Sequence, residues 1–450
     1  MNKKHKIISL SVILVLLLVM TYFYMEQVFY PQEFPRGPTL TESDRVLIIA
    51  PHPDDEVICN GGLIHYCVEN KIPVKAVIIT DGDDGKTSPL IRYNESVNGT
   101  SILGLSEENV IFLGYRDGSL KNLLNDNWDY NNPFTAADGS THTSYPYAYQ
   151  KNATYSGANL QDNLKTIIDD FKPSVVIYPS GDDEQLDHQA TSGFVEYTLT
   201  IMQYNGSKYT YLLHHLPHNW PSPRTYYPKY FLAPPSQLVG VENGPYWFIF
   251  NLNPLNEEIK EESFHAYNTQ ITSSSYLWSF LRKNELFAQY STLNLTKKSG
   301  ADNIDFLTGS PPSTLFYDAK GDVKDVEKYN SLDLQSLRID IYENSSWISL
   351  KTVAAASPEG FYRVHLKIFN PDGVEMVKIT VKNGSGELEK ETNAKNSSRE
   401  SIPVIMKNNT MLIKIPSNWF KNSSHFIISA ESSLNSEIID LTPWRVVKIT

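Results

Sequence analysis

The chain has 450 residues, a formal net charge of −12 and 27 tyrosines. Its length implies two or three units, each with enough chain to bury a core. The acidic balance argues against a nucleic-acid partner, because phosphate backbones are held by clustered lysine and arginine and the sequence has no such cluster.

Lys3, Lys4, His5 and Lys6 precede "IISLSVILVLLLVMTYFY", residues 7–24, an uncharged and mostly apolar run of 18. As a helix it would cover roughly 27 Å, enough to cross a hydrocarbon core. A secretory signal starts in the same way, but its apolar part is shorter and an A-x-A-like cleavage site follows, which is not found here. The expectation is an uncleaved single-pass anchor over residues 1–30. The lipid bilayer is then a partner, the lysines stay in the cytoplasm and the remainder is extracytoplasmic. Residues 31–42 hold Pro31, Pro35 and Pro38 without apolar periodicity and read as a linker.

The first soluble domain is expected over 43–300. "RVLIIA" (45–50) reads as a strand, "EVICNGGLIHYCVEN" (56–70) as a helix and "VKAVIIT" (74–80) as a second strand. Continuous apolar strands around a helix make a βαβ unit of a parallel sheet covered on both faces. The alternation continues with a helix near 91–104, a strand at 109–114, a helix near 159–171 and the strand "SVVIYP" (174–179). This predicts an α/β, doubly wound and mainly parallel sheet whose functional groups gather beyond the carboxyl ends of the strands. Cys59 and Cys67 share one helix, about 12 Å apart. That is too far for a disulfide, and both read as core filler.

Residues 120–158 are rich in Asn, Tyr, Gly and Ser and read either as a plain surface loop or as a substrate lid. A helix is expected over 255–270, and a second linker over 301–332. Residues 333–450 then carry short β-like runs, with "NPDG" (370–373) as a hairpin turn. This predicts an all-β, sandwich-like accessory domain with an architectural or adhesive role. No metal cluster or catalytic constellation is legible in it.

The chemistry concentrates in "HPDDE", residues 52–56, at the end of the first strand. One reading is helix capping, since acids there satisfy free N–H groups and suit the helix dipole. The other is a metal site, which requires a partner. "LDHQA" supplies one in His188, which follows another strand end. Two imidazoles and one carboxylate, His52, Asp55 and His188, form a three-ligand set with room for solvent, typical of catalytic Zn2+. Fe2+ would accept the same ligands. Pro53 restricts His52 to extended backbone, and Asp54 stands beside the set, placed to take a proton from water.

"PHPDDE", "IITDGD", "RYNE" followed by "LG", "FLGYRDGSL" and "DHQA" together resemble the successive motifs of the PIG-L/LmbE-like zinc-dependent de-N-acetylase family. The resemblance covers roughly residues 45–270, with "HAYNTQ" a fainter echo near its end. It implies a Rossmann-like fold, a mononuclear zinc site and removal of acetyl from an amino sugar. Under it His52, Asp55 and His188 would bind zinc, and Asp54 would be the general base that later protonates the departing amine. Arg92 and Asp117 would hold sugar hydroxyls. Their plainer readings are a helix-surface ion pair with Glu95 and a turn residue before Gly118.

One departure stands out. The family commonly has a histidine three positions before its last zinc ligand, and here that position is Gln185. Its amide can donate to a developing oxyanion but cannot shuttle a proton. His214, His215 and His218 of "LHHLPH" are possible substitutes, and Asp187 either orients a neighbouring ligand or lies on the surface. The expected function is a metal-dependent N-deacetylase for an N-acetylglucosamine-containing glycan or glycolipid. Two alternatives are an inactive carbohydrate-binding or envelope-assembly protein and a zinc amidase for another acyl amide.

Overall fold

The structure is a computed structural model that describes residues 12–21, 34–215, 220–299, 314–343, 345–392 and 396–450. Residues 12–21 are helical and exposed. The rest of the apolar run 7–24 lies outside the described residues, and among the described residues no helix is long and apolar enough to cross a membrane.

Seven strands build the central sheet: β1 (Val46–Ala50), β2 (Val74–Thr80), β3 (Val110–Tyr115), β4 (Val175–Pro179), β5 (Ser207–Tyr211), β6 (Tyr246–Asn251) and β7 (Asn284–Gln289). Their order is β3-β2-β1-β4-β5-β7-β6. The first five run parallel, and β7 and β6 close the edge in antiparallel fashion. The sheet is therefore mixed and mostly parallel, as the βαβ pattern predicts.

Why the central strands are apolar throughout follows from their two faces. Val46, Ile48 and Ala50 enter one buried cluster, while Leu47 and Ile49 enter another on the opposite face. Helices Asp55–Glu69, Pro89–Ile102 and Pro254–Phe264 pack on the first face; Gly157–Phe171 and Leu186–Ile201 cover the second. Strand order reverses between β1 and β4, so the loops after these two strands diverge and leave a crevice at their carboxyl ends.

The segment between Asn125 and Gly157 is neither free nor extended. Phe134 donates to the Tyr155 carbonyl at 2.8 Å, Tyr149 to that of Phe112 at 2.7 Å, and the Tyr145 hydroxyl reaches Asp81 at 2.8 Å. It is an ordered loop packed on the end of β3.

Beyond β7, a five-stranded and an eight-stranded sheet enclose one shared apolar core, to which Ile339, Ile348 and Ile413 contribute from one sheet and Val364, Ile379 and Ile428 from the other. The strands Phe361–Asn370 and Gly373–Lys382 pair through Asn370↔Gly373, which puts the hairpin turn at the "NPDG" sequence. The short strand Leu293–Leu295 runs parallel to Arg445–Ile449, so the eight-stranded sheet recruits chain from before residue 300.

Candidate metal and catalytic site

His52 follows the end of β1, and His188 lies in the first turn of the helix that follows β4, so two loops of the crevice supply the two imidazoles. Their ring centroids are 5.2 Å apart. Asp55 Oδ2 lies between them, 3.1 Å from His52 Nδ1 and 3.2 Å from His188 Nε2. Ligands about 2.0–2.2 Å from a tetrahedral ion stand roughly 3.3 Å from one another, so these spacings suit a single cation. His188 is fully buried, and neither ring nitrogen makes a well-formed hydrogen bond, although Nε2 stands 3.2 Å from Asp55 and Nδ1 3.2 Å from Asp183. A buried nitrogen in that state costs free energy unless something else accepts its lone pair. The residues present therefore fit a metal ion.

Two other sets of possible ligands overlap this one: Asp183, His188 and His214, and His52, Asp117 and Asp187. The Asp183 carboxylate is already occupied by the backbone N–H groups of Leu213, His214 and Gln185. Asp187 likewise receives Gly118 N–H at 2.7 Å and Leu120 N–H at 3.0 Å. In the His52, Asp55 and His188 set the carboxylate stands between the two imidazoles, and His52 and Asp55 face the cavity.

Helix capping does not explain the acidic motif. Asp54 occupies the N-cap position of Asp55–Glu69, yet its side chain makes no capping hydrogen bond. Asp55 turns back to accept from the His52 backbone N–H at 2.9 Å. Asp54 itself has φ 154° and ψ −31°, a conformation rarely adopted by a residue with a Cβ and one that marks functional turns. Glu56 holds this turn in place by accepting from Asp54 N–H and from the Tyr267 hydroxyl, both within hydrogen-bond range at 2.8 and 2.7 Å. Tyr267 belongs to the "HAYNTQ" segment, which explains why that sequence accompanies the others.

A cavity of about 500 Å³ opens over the cluster. His52, Asp54, Asp55, Arg92, Asp117 and Gln185 line it, while His188 is sealed behind. The surface ion pair between Arg92 and Glu95 is not formed. Arg92 is buried, donates to the carbonyls of Gly82 at 3.1 Å and Pro53 at 2.8 Å, and lies 3.5 Å from Asp54. Glu95 instead accepts from Thr269 N–H and its hydroxyl. Asp117 places Oδ1 3.4 Å from His52 Nε2, and its backbone N–H is held by Asp81. Gln185 caps the helix Leu186–Ile201, its carbonyl accepting from Asp187 and His188 N–H, which leaves its amide nitrogen 3.2 Å from His52 Nε2.

Asp183 was not legible as part of the site. It bridges His188 Nδ1 at 3.2 Å and His214 Nδ1 at 3.0 Å, and so orients both rings. The doubled acid in "SGDDEQ" is its only sequence signal, and Asp187 lies nearer to His188 in sequence. His214 lines the cavity, His215 is buried beside Glu184, and His218 lies outside the described residues.

The electrostatics agree with a cation site. Burial opposes charge on His188, but Asp183 and Asp55 outweigh it and raise the imidazole to about 9. His52 is likewise raised, against burial, by Asp117, Asp187 and Asp55. Asp54 is pushed up to about 7 by burial, against the charge of Arg92 and with that of Asp55 adding. Without a metal, protons hold this anionic cluster together.

A family model described as PIG-L, GlcNAc-PI de-N-acetylase, matches residues 47–198. Among curated proteins, a probable N-acetyl-alpha-D-glucosaminyl L-malate deacetylase 2 of Bacillus anthracis is 34% identical over 87 residues, covering 17% of this chain and 38% of that protein. The match thus spans well under half of the relative's length. Among solved structures, N,N'-diacetylchitobiose deacetylase from Pyrococcus horikoshii is 18% identical with a TM-score of 0.35, over 59% of this chain and 91% of that one. The A40926 pseudoaglycone deacetylase Dbv21 is 15% identical with a TM-score of 0.38, over 55% and 99%.

Proposed function

Because residues 47–198 match the family model described as PIG-L, GlcNAc-PI de-N-acetylase, we propose that the protein is a metal-dependent hydrolase that removes the N-acetyl group from an N-acetylglucosamine-containing glycan or glycolipid. The observation that carries this reading is the convergence of His52, Asp55 and His188 at the foot of a cavity whose wall presents Asp54.

His52, Asp55 and His188 would hold Zn2+ or Fe2+, which would supply Lewis acidity toward the amide carbonyl and toward water. Asp54 takes the proton from the attacking water and returns it to the nitrogen as the C–N bond breaks, so one water yields acetate and a free amine. The Gln185 amide nitrogen faces the oxyanion as a neutral donor. His214, whose Nδ1 is held by Asp183, lines the same cavity. Asp117 accepts from a sugar hydroxyl. Arg92, whose guanidinium is engaged by two backbone carbonyls, acts on the substrate chiefly by holding the Pro53 and Gly82 turns together.

We place the catalytic domain outside the cytoplasm on a single-pass anchor over residues 1–30. The support is Lys3, Lys4 and Lys6 before an apolar run. Protease added to intact cells should then cleave the domain; complete protection would reverse the orientation.

Acetate release from N-acetylglucosamine-containing substrates, compared between the native chain and Asp54→Ala, tests the reaction. Equal rates would remove the enzymatic reading and leave a carbohydrate-binding role. A panel of acyl groups on one sugar separates the deacetylase from an amidase of another acyl linkage.

A further inference from the structure

On the far side of the 182–186 loop from the catalytic cavity lies a second hollow of about 340 Å³, between that loop and the strand Glu437–Leu441 of the β domain. Its wall carries Asp182, Asp183, Glu184, Asp322, Glu437 and Asp440, and no lysine, arginine or histidine. Most of these acids have partners elsewhere. Asp182 bonds to the Tyr290 hydroxyl, Asp183 holds His188 and His214, Glu184 is 3.6 Å from His215, and Glu437 is 3.9 Å from the exposed Lys324.

Among the described residues Asp322 and Asp440 have no cationic partner, and neither does Asp318, which joins them from the segment after the strand Thr314–Tyr317. One carboxylate oxygen from each lies within 4.8 Å of the others. Among the described residues none of the three is in an ion pair. Asp318 is 5% exposed and its Oδ2 has no hydrogen-bond partner; Asp322 Oδ1 is also buried and unpartnered. Asp440 accepts only from the backbone N–H groups of Leu334 and Leu441. A buried carboxylate oxygen left without a donor is rare because its lost hydration is not replaced. Two such oxygens, with the Asp440 carboxylate beside them at repulsive distance, require either bound protons or a cation. Burial, then the charges of Asp440 and Asp322, push the Asp318 carboxyl well up in the cation-free state.

We propose that Asp318, Asp322 and Asp440 bind a calcium ion. The ligands are oxygen only, come from irregular chain as well as a strand, and border a hollow with room for water, which is how the six to eight ligands of Ca2+ are commonly completed. Softer ions prefer imidazole or thiolate, and none is offered here. The ion ties the chain that enters the β domain to the Glu437–Leu441 strand, across a hollow whose other wall carries Asp183, the residue that orients His188 and His214.

The test uses the full chain loaded with zinc and dialysed into calcium-free buffer. Millimolar calcium is expected to raise the melting temperature, by roughly 3 to 5 °C at a hundredfold excess over Kd. Asp318→Asn and Asp440→Asn should lose the response, and in calcium-free buffer Asp318→Asn should melt no lower than the native chain, because an amide removes the repulsion. Calorimetric titration should show one calcium per chain, retained in Asp55→Asn and absent in Asp318→Asn. A native melting temperature that ignores calcium, or one that shifts equally in Asp318→Asn, overturns the site. Should neither variant fold, the native titration decides: no binding isotherm at millimolar calcium refutes the proposal. The catalytic reading is untouched by either result.

Discussion

Asp54 sits in a buried turn against the cavity, where desolvation raises its carboxyl to about 7 and the Arg92 charge only partly opposes the rise. A folded-state pKa above the ordinary carboxylate value means that the basic form is gained as pH rises. Turnover that depends on this base should therefore climb with pH toward neutrality, and the charge of a bound dication will draw that limb lower. A pH-rate profile checks this, and a rate constant down to about pH 4 would contradict Asp54 as the base. Behind the ligands, Asp183 holds His188 by Nδ1. Asp183→Asn should weaken metal binding by about 10- to 100-fold, read as metal retained during graded chelation. His188 is raised to about 9, so below that pH a proton must leave before its nitrogen can bind a metal. Metal affinity should accordingly increase with pH across the neutral range.

The site depends on how closely the helices on the first face of the sheet pack. The helix Pro89–Ile102 approaches Tyr267 at Gly99, where an added Cβ would fall 2.3 Å from the tyrosine ring. Tyr267 is the residue that steadies Glu56, and Glu56 receives the Asp54 N–H. Gly99→Ala should thus cost roughly 1–3 kcal/mol in stability by overpacking, and lower activity as well by loosening the Asp54 turn. Denaturant melts and acetate-release rates on the same variant check both parts. Unchanged stability would mean that the tyrosine moves aside freely and that the contact does not position the turn.

The two structural units share a core as well as a border. Ile427, Trp444 and Val446 of the β domain belong to the same buried cluster as Leu124, Phe194 and Val195 of the α/β domain. Lys367 donates to the Leu124 carbonyl at 2.8 Å with its ammonium 4.5 Å from the Trp128 ring centre, and Lys121 meets Glu431 at 2.8 Å. Buried contacts of this kind tie unfolding of one unit to exposure of apolar surface on the other. Calorimetry should therefore record a single unfolding transition for residues 34–450, and two well-separated peaks would show the shared cluster to be dispensable.

The sequence by itself determined the mostly parallel sheet, the order of its motifs and the residues of the candidate metal site. Strands buried on both faces must be apolar at every position, so β1 and β2 are visible in a short window. His52, Asp55 and His188 are legible because the two strand ends in which they lie must neighbour each other in such a sheet. The strand β7 is not visible in this way, for the converse reason. β7 begins with Asn284 and Glu285, polar residues that are buried because Leu232 pairs with the Asn284 amide, and because Lys260 and the N–H groups of Gly62 and Leu63 meet Glu285, the last two more than 220 positions away. Tertiary structure alone decided that Asp183, rather than Asp187, supports His188, that Arg92 faces inward, and that Asp318, Asp322 and Asp440 converge without a counter-charge. Apolar periodicity is written locally, but the partner of a buried charge is chosen by whatever distant group the fold brings within about 3 Å.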